Sequence, residues 1–293
     1  MNFKFINHKG LNLLNYSNFT CKILYSSLIT LFLVSCASRG NPFSPGKDSA
    51  PNGSFDVSNI PNATPKVEPL SASGNPGSYI VNGKRYYVMK SSKNYRKRGI
   101  ASWYGKKFHG RSTSSGEKYN MYGMTAAHKS LPLPSYVRVT NLKNKRSIIV
   151  KVNDRGPFHS NRIIDLSYAA AKKLNIISTG TGIVEVEVLD PRKFKKRQSA
   201  VTNKPIKISK ITNKSNNYIM YLQVGAFVSN TNAQQLLNKL IDQFNNVRIN
   251  SDTLARPRMY RVQIGPIHSV NEADKLALKV KNMGFDLPHV VIN

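Results

Sequence analysis

The feature that most constrains the fold is a series of short apolar segments, separated by frequent turns, between residues 99 and 189. Segments with β-branched or alternating residues lie at 100–103, 136–141, 146–153 and 183–189. They predict short strands, because alternation places every second side chain on the same face of a strand. Helical spacing is convincing only at 166–174, where Asp165 or Ser167 is the candidate N-cap. The pattern predicts a small closed β-barrel with one or two short helices.

A different architecture is predicted for residues 218–293, which contain an internal repeat. The sequence Gln-Val-Gly-Ala-Phe-Val-Ser at 223–229 recurs as Gln-Ile-Gly-Pro-Ile-His-Ser at 263–269. Each copy predicts a strand that leads into an amphipathic helix, and further strands are predicted near 247–250 and 289–292. The order β-α-β-β-α-β would place two helices on one face of an antiparallel sheet and leave the other face free for binding. Gln223 and Gln263 are candidate contacts on that face, unless they only pair with backbone.

Residues 1–35 have the composition of an export signal. Three lysines and no acidic residue precede an apolar run at 23–34, which ends in small residues directly before Cys36. The run is shorter than the roughly 20 residues that span a bilayer, which disfavours the alternative of an uncleaved anchor helix. The junction resembles a bacterial lipobox, which implies that Cys36 is acylated and becomes the first residue of the mature protein. Because Ala37 replaces the Asp that retains lipoproteins in the inner membrane, the resemblance implies an outer-membrane anchor facing the periplasm.

The remaining segments are predicted to be linkers or small local structures. Residues 36–78 are rich in Ser, Pro, Gly and Asn and predict a flexible tether. Residues 79–97 predict a short hairpin around Asn82-Gly83, followed by a linker. Residues 191–217 hold nine Lys or Arg and no acidic residue, which predicts a disordered basic linker. Two folded domains therefore remain, at 98–190 and 218–293.

The formal net charge of +30 constrains the partners. A strongly basic chain first suggests nucleic acid, but an exported, lipid-anchored protein rarely meets it. Anionic cell-wall polymers and membrane headgroups are the expected partners, unless the charges simply solvate the surface. After removal of Cys21 with the signal and acylation of Cys36, no thiol remains for a disulfide or a thiolate metal site. No metal or cofactor is expected.

Residues 102–165 hold the candidate chemical groups. Three residues that can transfer protons or carry charge lie in separate turn-rich segments between the strand-like runs: Glu117, His128 and Asp154. Such a set suits acid/base chemistry on a sugar polymer. Three aromatic residues offer flat apolar surfaces for stacking on pyranose rings: Trp103, Tyr104 and Phe108.

Six motifs occur together in this region: Ala-Ser-Trp-Tyr-Gly at 101–105, Phe-His-Gly-Arg at 108–111, Thr-Ala-Ala-His at 125–128, Leu-Pro-Leu-Pro at 131–134, Asn-Asp-Arg-Gly-Pro-Phe at 153–158 and Ile-Asp-Leu-Ser-Tyr-Ala-Ala-Ala at 164–171. Through them, residues 99–189 closely resemble the six-stranded double-psi β-barrel of the rare lipoprotein A family of septal lytic transglycosylases. The repeat resembles the SPOR domain, which in other proteins binds glycan strands stripped of stem peptides. The resemblance implies a multi-domain chain in which a mainly-β barrel is followed by an α+β domain, with disordered linkers.

The family resemblance implies cleavage of the MurNAc–GlcNAc bond of peptidoglycan, with formation of a 1,6-anhydro ring, on peptide-poor glycans at the division septum. Such an enzyme needs no nucleophile of its own, because the C6 hydroxyl of the substrate attacks the anomeric carbon. One carboxyl group can then act first as acid and later as base, and Asp154 is the first choice. Glu117 is expected to stabilise developing positive charge or to share in the proton transfers, and His128 to orient a carboxyl or a sugar hydroxyl. Asp165 is expected to be a helix cap without a part in the chemistry. The expected partners are denuded septal glycan strands, the membrane through Cys36 and divisome proteins, but not nucleic acid.

Each assignment has a simpler structural alternative. Asp154 could only cap a turn, Glu117 could be a solvent-facing loop residue, and Trp103 could belong to the barrel core. His109, His128 and Asp154 could instead bind a metal, although their spacing matches no familiar zinc motif. Two non-enzymatic functions also remain: a plant expansin-like barrel that grips glycan without cutting it, and a basic protein that ties the outer membrane to the wall.

Overall fold

The computed structural model describes residues 48–53, 55–159, 161–194, 218–252 and 257–293. The predicted export signal and Cys36 lie outside the described residues, and so does the predicted basic linker from residue 195 onward. No helix among the described residues is both long enough and apolar enough to cross a membrane.

The predicted hairpin is present. Strands β1 (Ser78–Val81) and β2 (Lys84–Tyr87) pair in antiparallel fashion, with Tyr79 opposite Tyr86. The turn between them has positive φ at Asn82 (50°) and at Gly83 (74°), as a two-residue turn matching the twist of a hairpin requires. The local Asn82-Gly83 sequence was therefore sufficient to predict this hairpin.

Six strands close the barrel: β3 (Arg96–Tyr104), β4 (Thr125–His128), β5 (Ser135–Asn141), β6 (Ser147–Asp154), β7 (Arg162–Ser167) and β8 (Gly182–Val188). Their order around the barrel is β3-β7-β4-β6-β5-β8. The pairs β3–β7 and β4–β6 are parallel, and the other four pairs are antiparallel. The closed six-stranded barrel confirms the predicted fold class.

Alternating apolar side chains fill the barrel. In β6, Ile148, Val150 and Val152 are buried, whereas Ser147 at the start of the strand is exposed. Removing such aliphatic side chains from water is the main favourable contribution to folding. The strand ends in the half-buried Asp154, which therefore lies at the rim of the barrel core.

Helix α1 (Tyr168–Lys173) follows β7 directly. Ser167 Oγ accepts a hydrogen bond from Ala170 N (3.3 Å), so Ser167 is the N-cap. The alternative prediction, Asp165 as the cap, is wrong, because Asp165 lies inside β7, three residues before the helix begins at Tyr168.

Residues 55–77, predicted as part of a flexible tether, lie along the barrel instead. Asn62 Oδ1 accepts from Ile149 N (3.1 Å), and Asn75 makes two hydrogen bonds of 2.8 Å with the backbone of Leu133. These amide side chains pair with backbone groups that the barrel strands leave open. The prediction of a free tether is wrong for this part, because composition alone does not reveal such pairing.

The C-terminal domain contains β9 (Met220–Phe227), α2 (Asn230–Ile241), β10 (Val247–Asp252), β11 (Met259–Ile267), α3 (Val270–Asn282) and β12 (His289–Ile292). The strands form an antiparallel sheet in the order β10-β11-β9-β12. The predicted order β-α-β-β-α-β is confirmed.

The internal repeat explains why the two halves of this domain fold alike. Ser229 Oγ accepts from Asn232 N (3.4 Å) at the start of α2, and Ser269 Oγ accepts from Glu272 N (3.1 Å) at the start of α3. Buried residues at helical spacing then attach both helices to the sheet: Ala233, Leu236 and Leu240 in α2, and Ala273, Ala277 and Val280 in α3.

Candidate active site

The Asp154 carboxylate is held through one of its two oxygens. Asp154 Oδ1 accepts hydrogen bonds from Ser114 N (2.8 Å), Ser114 Oγ (2.6 Å) and Arg155 N (2.7 Å). No hydrogen bond to Oδ2 is present within the described part of the chain. The geometry therefore fixes the orientation of the carboxylate and leaves one oxygen available for proton transfer.

A compact loop at residues 113–117 brings Ser114 to Asp154. Thr113 N donates to Glu117 O (2.7 Å), and Gly116 N donates to Thr113 O (2.9 Å). Gly116 has a φ of +92°, a conformation that residues with a Cβ rarely adopt. Ser115 N donates to Asn153 O (3.1 Å), which attaches the loop to the end of β6. The Thr-Ser-Ser-Gly-Glu motif thus places Ser114 and Glu117 at the same strand end.

The Glu117 carboxylate is bound by two residues of β6. Lys151 Nζ lies 2.8 Å from Oε1, and Asn153 Nδ2 donates to Oε2 at 2.8 Å. Burial by itself would raise the pKa of Glu117, but the hydrogen bonds from Lys151 and Asn153 together lower it below its usual range. Glu117 is therefore an anion near neutral pH. The structure places Glu117 and Asp154 at one end of β6, a proximity that the sequence alone could not establish.

His128 lies at the end of β4 and is buried, with 3% of its surface exposed. Its Nδ1 accepts from Ser130 N (3.1 Å) and Leu131 N (3.0 Å), and its Nε2 lies 2.9 Å from Tyr95 Oη. This pattern assigns the proton of the neutral ring to Nε2, which donates to Tyr95. Burial, followed by the charges of Arg155 and Lys129, lowers the pKa of His128 to about 3. Its ring does not bond either carboxylate, so the predicted contact that would orient one is not formed.

Arg155 connects the His128 turn to the end of β6 that carries Asp154. Arg155 Nη1 donates to His128 O (3.0 Å) and Leu131 O (2.6 Å), and Nε donates to Gly74 O (2.9 Å). Arg155 also supplies the backbone N–H that bonds Asp154. His128 is therefore linked to the Asp154 strand end through the backbone of its turn and through Arg155.

Asp165 is a further carboxyl group, separated from Asp154 by strand β4. In the barrel register, Ala127 of β4 pairs with Asp154 on one side and with Asp165 on the other. Ser102 Oγ donates to Asp165 Oδ1, and Asp165 Oδ2 lies 3.8 Å from the position that a Cβ on Gly156 would occupy. Burial raises the pKa of Asp165, although the Ser102 hydrogen bond opposes the shift. The sequence analysis left Asp165 out of the chemistry because it interpreted this residue as a helix cap. Its position between the apolar residues Ile164 and Leu166 was the available sign that it lies in a strand.

The predicted aromatic platform is only partly exposed. Tyr104 is buried, and its ring stacks on Tyr119 with centroids 4.1 Å apart, so its faces are not open to a sugar. Trp103 is half-buried against Tyr168 (5.9 Å), which agrees with the alternative that it belongs to the core. Phe108 is 38% exposed and keeps the predicted capacity to stack on a sugar.

The alternative metal site does not assemble. His109 Nδ1 accepts from Met121 N (3.2 Å), and both nitrogens of His128 are engaged elsewhere. Across the described ranges, no group of three His, Cys, Asp or Glu residues could hold a metal ion. Neither histidine is therefore placed to share a metal ion with Asp154.

In the C-terminal sheet the two candidate glutamines differ. Gln263 is 2% exposed, and its Oε1 accepts from Arg248 Nη2 (3.1 Å). Gln223 lies opposite Gln263 in the register and is half-buried. Gln263 is therefore buried and hydrogen-bonded to a side chain of β10. The sequence analysis considered only a glycan contact or pairing with backbone for this residue. The guanidinium of Arg248 stacks 3.6 Å from the ring centroid of Tyr221.

Comparisons with known proteins cover both domains. Residues 96–188 match the family model described as lytic transglycolase, and residues 216–291 match the SPOR domain. The endolytic peptidoglycan transglycosylase RlpA of Pseudomonas aeruginosa (strain UCBPP-PA14) is 40% identical over 287 residues, which cover 82% of this chain and 83% of that protein. The protein of the same name from Vibrio cholerae serotype O1 is 40% identical over 259 residues, which cover 88% of this chain and 92% of that protein.

Among solved structures, the RlpA SPOR domain from Pseudomonas aeruginosa is 32% identical, with a TM-score of 0.24. It covers 25% of this chain and 96% of that structure. The Ser114–Asp154 and Glu117–Lys151 contacts lie within the segment matched by the lytic transglycolase model. The extent and identity of these two matches show that the chain belongs to the RlpA family.

Proposed function

We propose that this chain is an endolytic peptidoglycan transglycosylase, which cleaves the bond between N-acetylmuramic acid and N-acetylglucosamine without water. The observation that carries the proposal is the Asp154 carboxylate, held through Oδ1 by three donors while Oδ2 has no hydrogen-bond partner among the described residues. Family membership supports the same reaction, because the relatives bear that activity in their names.

Asp154 acts as acid and then as base. Its Oδ2 donates a proton to the glycosidic oxygen while the bond between that oxygen and the anomeric carbon breaks. The C6 oxygen of the muramoyl residue that carries this anomeric carbon then bonds to it, and the proton of the C6 hydroxyl passes to Oδ2. The product carries a 1,6-anhydro ring, and the enzyme regains its starting protonation state. An intramolecular attack of this kind has a large entropic advantage over attack by a separate molecule.

The neighbouring groups stabilise the charges that form between these steps. Ser114 and the N–H of Arg155 bond the carboxylate that remains after proton donation, and charge-assisted hydrogen bonds of this type are strong. Anionic Glu117 faces the same strand end and stabilises the oxocarbenium-like centre. The two carboxylates therefore have different roles because their bonding partners differ.

We further propose that the C-terminal domain binds glycan strands without stem peptides at the septum, where wall remodelling separates daughter cells. The match to the SPOR domain supports this binding role. The lipobox-like residues before Cys36 support a lipid anchor in the inner leaflet of the outer membrane, where divisome proteins would be the partners. In this arrangement the domain selects the strand and the barrel cuts it.

The test compares product formation by matched variants. The full-length chain in detergent is incubated with purified sacculi and with amidase-treated glycan strands, and anhydro-ended products are measured by mass spectrometry. Asp154→Asn should lower the rate by roughly a hundredfold or more, because proton transfer from a positioned side chain contributes about 10²–10⁴ in rate. The control Asp190→Asn alters a carboxylate outside the site, bonded to Arg192 N (3.0 Å), and should retain the rate. Identical products from wild type and Asp154→Asn would refute the proposal and favour an expansin-like binder.

A further inference from the structure

An aromatic cluster outside the predicted platform joins the hairpin to the loop after Asp154. The rings of Tyr79 and Tyr86 stack with centroids 5.4 Å apart, and Phe158 lies 5.6 Å from Tyr86 and 6.3 Å from Tyr79. Phe158 nevertheless remains 39% exposed. A cluster that served only to attach the hairpin would gain by burying this ring fully.

The cluster is fixed beside the catalytic strand end. Tyr79 Oη donates to Lys129 O (2.7 Å), and the guanidinium of Arg155 lies 5.9 Å from the centre of the Tyr79 ring. Burial raises the pKa of Tyr79, the charge of Arg155 opposes this shift, and Tyr86 and Asp154 make smaller contributions that raise it. Tyr79 is thus within electrostatic reach of Asp154, and Phe158 follows Asp154 in the same loop. The cluster is continuous with the candidate active site.

Unpaired positive charge borders the same rings. Strand register places Lys84 on the face of the hairpin that carries Tyr79 and Tyr86, and Lys84 Nζ lies 5.9 Å from the Tyr86 ring centre. Lys84 is exposed and has no carboxylate partner within the described residues. Burial, followed by the charge of Lys84, lowers the pKa of Lys129 to about 8. An anion is therefore the group that this surface would accommodate best.

We propose that Tyr86, Phe158 and Lys84 form a subsite for a muramoyl residue of the glycan strand, with the rings against the sugar and Lys84 Nζ against a free lactyl carboxylate. Aromatic rings pack against pyranose faces, and an ammonium group pairs with a carboxylate. The lactyl carboxylate is free only where the stem peptide has been removed, since the peptide is attached there by an amide. The subsite rests on the proposed function, and it gives the barrel its own means of recognising denuded strands.

The two faces of the hairpin supply matched controls. Arg85 and Tyr87 alternate with Lys84 and Tyr86, so their side chains lie on the opposite face of the same short strand. Arg85 Nη1 donates to Ser78 Oγ (3.0 Å), and Tyr87 is 69% exposed. Lys84→Gln is therefore compared with Arg85→Gln, and Phe158→Leu with Tyr87→Leu.

The experiment measures kcat/KM of the full-length chain on two substrates. One is amidase-treated glycan with free lactyl carboxylates, and the other is the same glycan after chemical amidation of those carboxylates. Lys84→Gln should lower kcat/KM about tenfold on the free strand, which corresponds to about 1.4 kcal/mol, and leave it unchanged on the amidated strand. Phe158→Leu should raise KM on both substrates, whereas Arg85→Gln and Tyr87→Leu should behave as wild type. Equal losses for Lys84→Gln and Arg85→Gln, or an equal loss on both substrates, would overturn the subsite.

A binding measurement separates failure of the subsite from failure of the proposed function. If the wild type forms no anhydro product, the proposed function fails, and the subsite is then judged from the Kd of the same variants for the two glycans. A weaker Kd for Lys84→Gln on the free glycan alone would still support the subsite. Unchanged Kd values for Lys84→Gln would refute it independently of turnover.

Discussion

Ser114→Ala tests whether the hydrogen bond from this side chain to Asp154 contributes to turnover. Ser114 Oγ lies 2.6 Å from Asp154 Oδ1, whereas Ser114 N donates to the same oxygen at 2.8 Å and is retained in the variant. The change removes one of three donors and preserves the loop backbone. Ser114 Oγ also accepts from Arg155 N (3.1 Å), but that N–H keeps its bond to Asp154 (2.7 Å).

The expected magnitude follows from the partial burial of the pair. A hydrogen bond to a charged group contributes about 1.5–3 kcal/mol, and partial exposure places this one near the lower value. A loss of about 1.5 kcal/mol that applies only to the charged intermediate corresponds to a roughly tenfold lower kcat. KM should stay unchanged, because Ser114 Oγ bonds the enzyme carboxylate and not the sugar.

Steady-state release of anhydro-ended products provides kcat and KM, and Ser115→Ala is the control. Ser115 Oγ pairs with Thr113 Oγ1 (3.1 Å) and does not bond Asp154. The reasoning is refuted if Ser114→Ala keeps kcat within about twofold of wild type, or if Ser115→Ala causes the same loss. A fall in KM with unchanged kcat would also contradict it.

Two further predictions concern stability. His128→Leu removes the acceptor for Ser130 N and Leu131 N, so it should lower the free energy of unfolding by about 3 kcal/mol in denaturant titrations; a loss below about 1 kcal/mol would contradict the supporting role of His128. Burial raises the pKa of Asp165, so the folded protein keeps the carboxyl proton to a higher pH than the unfolded chain does. Ionisation of Asp165 therefore lowers the stability of the wild type as the pH rises above 3.8. Asp165→Asn should therefore be more stable than wild type at pH 7 and lose this advantage below pH 3.8, whereas an equal difference at both pH values would contradict the shift.

The sequence predicted those parts of the fold that depend on local patterns. Alternation in β6, the Asn82-Gly83 turn and the two amphipathic helices of the repeat are properties of neighbouring residues, and all were predicted correctly. The tether was wrong over residues 55–77, because its hydrogen bonds join residues far apart in the chain. Asn62, for example, bonds Ile149, which is 87 positions away.

The sequence analysis identified the candidate acidic residues of the site but not the residues that hydrogen-bond to them. The structure brings Asp154 and Glu117 together, yet Ser114, Lys151 and Asn153, which hold them, were not singled out. Ser114 is 40 positions from Asp154, and only the barrel topology makes them neighbours. The burial of His128 and Tyr104 also depends on long-range packing, which explains why neither could be recognised as buried from its own segment.

The central claim is tested most directly by measuring whether oxygen from water enters the reducing ends of the products. The full-length chain digests amidase-treated glycan in water enriched in oxygen-18, and mass spectrometry measures the reducing ends of the fragments. If Asp154 serves the intramolecular attack of the C6 hydroxyl, the wild type will form anhydro ends without the heavy isotope, and Asp154→Asn will form almost none. Reducing ends that carry oxygen-18 in the wild-type digest would show hydrolysis and contradict the mechanism.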